Sequence, residues 1–447
     1  MFANLLKIMV CDVMNKRFFS NEGVNIPKNI TYRDVLDKIV VLAYEKPNWI
    51  VTTRTGSNIA RYLAEGCTLR DAMKNTAAEL KLNENDVIKE AKELLEEIDK
   101  NQFYDDAPIT DLDELHPPTR LHLYLTNKCN LRCIHCYMES GTAEENELNT
   151  TEWKQLIKDF SSITPHSLVS FSGGESLIRP DFFEIAQFAK TMGHSTFLFS
   201  NGTLINEDNI KMLEKYIDGI QISLDGASPA AHDAVRGPGA FEKAVNAIRL
   251  LGKTDIDINI AYCIVPQNIE DIRHNLVPFL KSLGIKKMHV GISVARTLGR
   301  WQRNCPDFED SSLLSVYSSI KGVLDELYFN GWESPSIARN VRKRNCTFGQ
   351  RFVVSASGNV HPCAELVWKI GNVRVDSIKS LSEKLAVLHQ QTSVDESKCC
   401  SRCELKYICR GGCKTWRMHN HKSIFIQRCD AKRKQLVYEK IARGDII

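Results

Sequence analysis

The stretch "LTNKCNLRCIHCYMES", residues 125–140, sets Cys129, Cys133 and Cys136 on one short loop in the spacing C-x3-C-x2-C. Three cysteines are the wrong number for a disulfide framework, and one too few for a closed four-thiolate metal site. Three protein ligands with one position open is the arrangement that separates a reacting metal centre from a structural one.

The flanking sequence says what carries the loop. From residue 120 apolar runs alternate with amphipathic segments. The strand candidates are "LHLYLT", "LVSFSG", "STFLFSNG", "GIQISLDG", "INIAYCIV" and "KMHVGIS". Helical patterns such as "TEWKQLIKDFSS" and "FEKAVNAIRLLGK" lie between them. Six strands alternating with helices predict an α/β fold with a parallel sheet and right-handed crossovers. About 185 residues is short for eight units, so residues 120–305 are expected to form a partial (β/α)6 TIM-type barrel.

Ligands in such folds bind at the carboxyl ends of the strands. The unusual residues collect there. The cysteine loop follows the first strand, and Gly173, Gly174 and Glu175 follow the second. Ser200 and Asn201 follow the third, Ser223 and Asp225 end the fourth, and Asn268 and Arg296 lie beyond the fifth and sixth. Taken singly, a Gly-Gly pair or an Asp-Gly is an ordinary turn; sharing one rim makes them a candidate site.

The totals narrow the class. A net charge of +3 over 447 residues gives no case for nucleic acid or an anionic membrane. No run approaches the ~20 apolar residues of a membrane span. The opening "MFANLLKIMVCDVMNKR" lacks a long apolar core and meets Asp12 early, so it is a poor signal peptide and a cytoplasmic protein is expected. Fifteen cysteines in a reducing compartment then point to metal ligands rather than bridges.

Seven of them recur near the end. Cys346 and Cys363 flank Gly358; Cys400, Cys403, Cys409 and Cys413 follow in the spacing C-x2-C-x5-C-x3-C, and then Cys429. Residues 346–430 are turn-rich, and metal is expected to supply much of their folding energy. "SASGNVHPC" reads as a short hairpin. Zinc is the competing reading for both cysteine sets. For the first, no fourth Cys or His stands nearby in zinc-ribbon register, His135 falling between two ligands.

The first motif, with Tyr137 next to it and Gly-Gly-Glu after the second strand, resembles the radical S-adenosylmethionine (SAM) enzymes. The resemblance implies that Cys129, Cys133 and Cys136 are catalytic, holding three irons of a 4Fe–4S cluster whose fourth iron binds SAM. An electron then cleaves SAM to a 5′-deoxyadenosyl radical, which abstracts a hydrogen atom from the substrate. Tyr137, Gly173, Gly174, Glu175, Ser200, Asn201, Ser223, Asp225, Arg236 and the backbone at Val265 are the implied SAM-binding positions. Glu175 suits the ammonium, Arg236 the carboxylate, and Tyr137 and Val265 the adenine. The seven later cysteines match the SPASM extension of that family, which implies two auxiliary clusters and three 4Fe–4S clusters in all. Cys400, Cys403, Cys409 and Cys429 would close one. Cys346, Cys363 and Cys413 would hold the other, with Cys305, Cys399 or Glu365 as candidates for its remaining iron.

Residues 1–106 read as short strands, including "KIVVLAY" and "NWIVTT", followed by three helical patterns with Thr68 and Asn83 or Asn85 as N-caps. They resemble the winged-helix-like RiPP recognition element, which adds the leader of a ribosomally made precursor peptide as a strand beside its third helix. This unit has no cluster ligand, so its removal is expected to spare SAM cleavage. Residues 107–119 read as a linker, 306–345 as a helical connector and 431–447 as a C-terminal helix. The whole resembles a sactipeptide or ranthipeptide maturase, which implies a Cys thioether cross-link in a leader-bearing peptide. It also implies an electron donor such as flavodoxin or ferredoxin. The alternatives are a carbon–carbon cross-linker, a formylglycine-forming sulfatase-maturing type, and a non-catalytic iron–sulfur peptide-binding protein.

Overall fold

The computed structural model describes residues 19–20, 23–111, 118–285, 287–296, 298–305, 319–320, 322–323, 326–327, 339–365, 368–415, 418, 423, 425, 429 and 431–444. Most of the expected connector 306–345 and the core of the expected linker therefore lie outside the described residues. The chain forms two compact units. One comprises Met1–Glu114, Pro335–Cys346 and Gln391–Ile447, the other Leu115–Ser334 and Thr347–Gln390. The cysteine-rich region is thus divided: Cys363 belongs to the second unit, and Cys346, Cys400, Cys403, Cys409, Cys413 and Cys429 to the first.

In the first unit an antiparallel sheet of β1 (Ile30–Val35), β2 (Lys38–Ala43) and β3 (Asn48–Thr52) is followed by α1 (Arg54–Ala64), α2 (Leu69–Leu80) and α3 (Glu84–Lys100). Thr53, Thr68 and Asn83 cap the three helices through side-chain oxygens. Alternation along β2 sends Val41 and Ala43 to the helices and Val40 and Leu42 to the opposite face. That opposite face is also buried. Val35, Val40, Leu42 and Trp49 pack on Leu405, Ile408 and the C-terminal helix Ala431–Arg443 through Val437, Tyr438 and Ile441. The N-terminal sheet therefore shares an apolar core with Leu405 and Ile408, so its removal is expected to disturb the Cys400–Cys409 region while still sparing SAM cleavage. The outer edge of β3 is partly taken as well. Asn340 donates to the Pro47 carbonyl (3.0 Å), and the Arg339 guanidinium stacks over the Trp49 ring, 4.4 Å from its centroid.

The second unit contains all six expected parallel strands in sequential order. They are β4 (Arg120–Thr126), β5 (Leu168–Gly173), β6 (Ser195–Ser200), β7 (Gly219–Ser223), β8 (Asp257–Ile264) and β9 (Met288–Val294). The crossovers include α4 (Thr150–Ile163), whose capping box uses Asn149 and Glu152, and a short α5 (Pro229–Arg236) capped by Ser228. Strands and helices bury one continuous apolar core. A seventh strand, β10 (Arg351–Val354), joins parallel to β4, and the expected hairpin returns it as β11 (Asn359–His361). Gly358 makes the turn at φ +81°, where a side chain would be strained.

Candidate active site

The cysteine loop is tied at both ends and along its length. Cys129 N–H donates to the Gly141 carbonyl and Gly141 N–H to that of Asn127 (3.0 and 2.8 Å), closing a lasso. A short helix, α6 (Gly299–Asn304), clamps the middle. The Arg300 guanidinium donates to the carbonyls of Cys133 (2.7 Å) and Ser140 (2.9 Å), and the Asn304 amide to that of Ile134 (2.8 Å). Neither residue was singled out from the sequence, where they stand far from the loop they hold.

The glycine turn after β5 presses on the same loop. A Cβ on Gly173 would come 2.3 Å from the Thr126 carbonyl oxygen, and one on Gly174 2.3 Å from that of Lys128. Both positions need glycine because backbone meets backbone. Glu175 is fully buried and faces the scaffold. Its carboxylate accepts from Ser200 Oγ (3.0 Å), Asn201 N–H (2.8 Å) and Leu177 N–H (3.3 Å). The Asn201 amide reaches on to Asn130 Oδ1 (3.0 Å) on the cysteine loop. Glu175 thus joins the ends of β5 and β6 and, through Asn201, the loop.

Burial pushes the Glu175 carboxyl up to about 7, against its N–H and hydroxyl donors and Arg236. The folded chain holds this proton more tightly than the unfolded one. The associated stability is full below the unfolded value of 4.5 and is lost as pH rises through about 7. Between about pH 5 and pH 8 the urea midpoint of the cluster-free protein is expected to fall. A Glu175→Gln variant lacks that portion of the fall, on the order of 3 kcal/mol. Parallel pH profiles for the two proteins would disprove the assignment.

Asp225, also fully buried, organises the far wall. Its Oδ1 accepts from Cys263 N–H (2.8 Å), and its Oδ2 pairs with Arg236 Nε (2.7 Å) and faces His135 Nε2 (3.4 Å). Burial alone would raise this carboxyl, but Arg236, His135 and the Cys263 N–H hold it below its ordinary range. Asn268 donates to the Asp225 and Cys263 carbonyls and accepts from Val265 N–H, knitting the ends of β7 and β8.

These elements enclose a cavity of about 220 Å³. Cys129, Cys133 and Cys136 line it with Tyr137, Gly173, Gly174, Ser200, Asn201, Ser223 and Arg236. Glu175, Asp225 and Val265 are absent from the lining and sit behind it. The lining also includes His135, Phe199 and Gln221, which sequence reasoning did not propose as site residues. Gln221 is recoverable from the period-two alternation that puts it on the Ser223 face of β7; Phe199, its register partner on β6, needed the strand pairing. Tyr137 hydroxyl meets that of Tyr124 (2.9 Å), which donates to the Ala364 carbonyl beside Cys363 (2.5 Å). Glu365 is ion-paired with Arg296 (3.1 Å).

The donor set fits an iron–sulfur cluster. Three sulfurs face one cavity, and none is committed to a disulfide. Burial pushes the Cys129 thiol up to about 11 and raises that of Cys133, so loading metal must expel protons. In the first unit Cys400 and Cys403 are buried, Cys409 is half-buried and Cys429 exposed. Cys403 N–H donates to the Cys400 carbonyl (2.8 Å), a tight turn that carries both thiols.

Residues 123–276 match the family model of the radical SAM superfamily, and residues 346–404 that of an iron–sulfur cluster-binding domain, SPASM. The AdoMet-dependent heme synthase of Methanosarcina barkeri is 30% identical over 311 residues, covering 64% of this chain and 88% of that protein. The chain belongs to the radical SAM superfamily. The radical SAM match lies in the parallel-sheet unit, and the SPASM match takes in Cys346, Cys363, Cys400 and Cys403 of the second set. SAM and iron–sulfur clusters are therefore its cofactors, which decides against zinc at the first motif. The mycofactocin maturase MftC of Mycolicibacterium smegmatis is 28% identical, over 67% of this chain and 79% of that protein. Among solved structures, Streptococcus suis SuiB bound to the precursor peptide SuiA has the same fold, with TM-score 0.54 and 14% identity over 91% of this chain and 99% of that one. This radical SAM protein is an enzyme. No helix among its described residues is long and apolar enough to cross a membrane.

Proposed function

We propose that this radical SAM enzyme matures a leader-bearing ribosomal peptide, forming an intramolecular cross-link from a cysteine sulfur to carbon. The observation that carries the reading is the sheet-and-helix unit at residues 30–100, placed ahead of a radical SAM core whose relative MftC is named a maturase. An added catalytic domain for a small diffusible substrate has no use for such a unit. A leader peptide does: an extended segment can add to the outer edge of β3 beside α3. Arg339 and Asn340 already bond the Pro47–Trp49 half of that edge, so the leader strand is assigned to Ile50–Thr52.

Cys129, Cys133 and Cys136 hold the SAM-binding cluster, one of three 4Fe–4S clusters, in a partial barrel; bound SAM and cluster supply the carbon radical that starts the reaction. The chain's own residues build its seat. Arg300 and Asn304 fix the loop, and Glu175 fixes the wall carrying Ser200 and Asn201. Tyr137, Ser223 and the free edge of Arg236 face the cavity, where they can orient the nucleoside and the carboxylate. Cys400, Cys403, Cys409 and Cys429 hold one auxiliary cluster, and Cys346, Cys363 and Cys413 the other. Glu365 is ion-paired with Arg296; Cys305, Cys399 and Glu365 are the candidates of this chain for the remaining position, and a substrate thiolate is the reading taken here.

The test is reaction of the reduced, reconstituted enzyme with the small peptide encoded beside its gene. The expected product has lost two hydrogen atoms per link and one iodoacetamide-reactive thiol for each. Loss of hydrogen with every thiol still reactive would favour the carbon–carbon alternative, and turnover of a tetrapyrrole carboxylate instead of peptide would favour a heme-synthase activity.

A further inference from the structure

Arg236 sits at the end of α5, 9% exposed, with its two ends differently engaged. Nε is 2.7 Å from Asp225 Oδ2, and Nη1 is 3.8 Å from the Cys133 sulfur, within reach of an N–H···S hydrogen bond. Asp225 cannot swing away. Its other oxygen accepts from Cys263 N–H, its N–H donates to His232 Nδ1 (3.1 Å), and its carbonyl accepts from the Asn268 amide (2.8 Å). The guanidinium is thus a fixed cation aimed at one particular thiolate of the three.

We infer that Arg236, locked by Asp225, is a positioning residue that sets the reduction potential of the cluster held by Cys129, Cys133 and Cys136. The inference rests on that cluster assignment. Reduction adds negative charge to the cluster. A buried N–H donor and a positive charge at its ligand sulfur stabilise the reduced form more than the oxidised one, which raises the potential. Asp225 opposes this only partly, because Arg236 meets the Cys133 sulfur directly through Nη1, whereas Asp225 meets Arg236 at Nε. The pair acts as a dipole with its positive end on the sulfur. The role is compatible with binding a substrate or cofactor carboxylate, since a guanidinium has five N–H groups and these contacts use two.

The experiment is an electron paramagnetic resonance redox titration of the full-length, three-cluster enzyme without SAM. The relevant cluster is identified by the signal that changes when SAM is added afterwards. Removing one charge alone would strand its partner in the interior, so the informative variant is the double substitution Arg236→Gln with Asp225→Asn. It is expected to lower the reduced-to-oxidised ratio at a fixed potential about tenfold, ~59 mV for a one-electron couple. Arg236→Lys, which keeps the charge, should stay within about threefold of wild type. A double variant that loads iron and titrates with the wild-type protein overturns the inference, as does a Lys variant as hard to reduce as the double. If wild type shows no SAM-sensitive signal at all, the cluster assignment fails instead.

Discussion

Replacing Cys129, Cys133 and Cys136 together by Ala is expected to abolish reductive cleavage of SAM and to leave the fold and the remaining iron in place. Among the described residues these three carry the only thiols lining the cavity, so no described neighbour supplies a replacement sulfur. Their removal only enlarges a cavity that is already open to solvent, and the loop keeps its backbone bonds to Arg300, Asn304 and Gly141. The cost to stability is therefore small, while the loss of activity is complete. Iron content and chromatographic assay of 5′-deoxyadenosine check both halves. Product formation at any rate above that of reductant alone would mean that the cluster lies elsewhere.

Deleting residues 1–106 has the opposite signature. The deletion removes no cysteine of either cluster set but strips the cover from Leu405, Ile408, Val437, Tyr438 and Ile441. At about 1.5–3 kcal/mol for each fully buried apolar side chain, the exposure costs on the order of 10 kcal/mol. That equals the whole stability of a typical domain. The expected result is a shortened protein that retains SAM cleavage by the parallel-sheet unit but loses iron from Cys400, Cys403, Cys409 and Cys429, with protease cuts appearing after residue 391. Full iron content in the truncated chain would show that the apolar contact is dispensable. Leader binding is better probed by Val51→Pro on the β3 edge, which blocks strand addition without uncovering the core.

The parallel core was legible because strands buried on both faces read as near-continuous apolar runs, as in "LHLYLT" and "INIAYCIV". Strand β1, "ITYRDV", was not. Its Arg33 and Asp34 break the apolar pattern, and Arg33 finds its partner in the Tyr438 ring, 5.8 Å from the centroid and four hundred residues on. Helix α5 carried its start signal in Ser228-Pro229, but eight residues are too few for periodicity to speak. In the site, residue types and spacing were enough to locate the cysteines and the rim. Roles were harder. A Glu after two glycines reads equally as a ligand for an ammonium or as a buried brace, and only burial separates the two. Arg236 lines the cavity, and its engagement with Asp225 and Cys133 depends on loops that converge only in three dimensions.

The sheet of β1 to β3 has a biosynthetic consequence. It leaves the ribosome well before the helix Ala431–Arg443 that covers Val40, Leu42 and Trp49. At roughly 5–20 residues per second, the nascent chain carries that apolar face uncovered for roughly 20–80 seconds. This interval invites chaperone attendance and aggregation at high expression. Slower translation at lower temperature lengthens it, so yield of soluble enzyme should respond more to chaperone supply than to cooling.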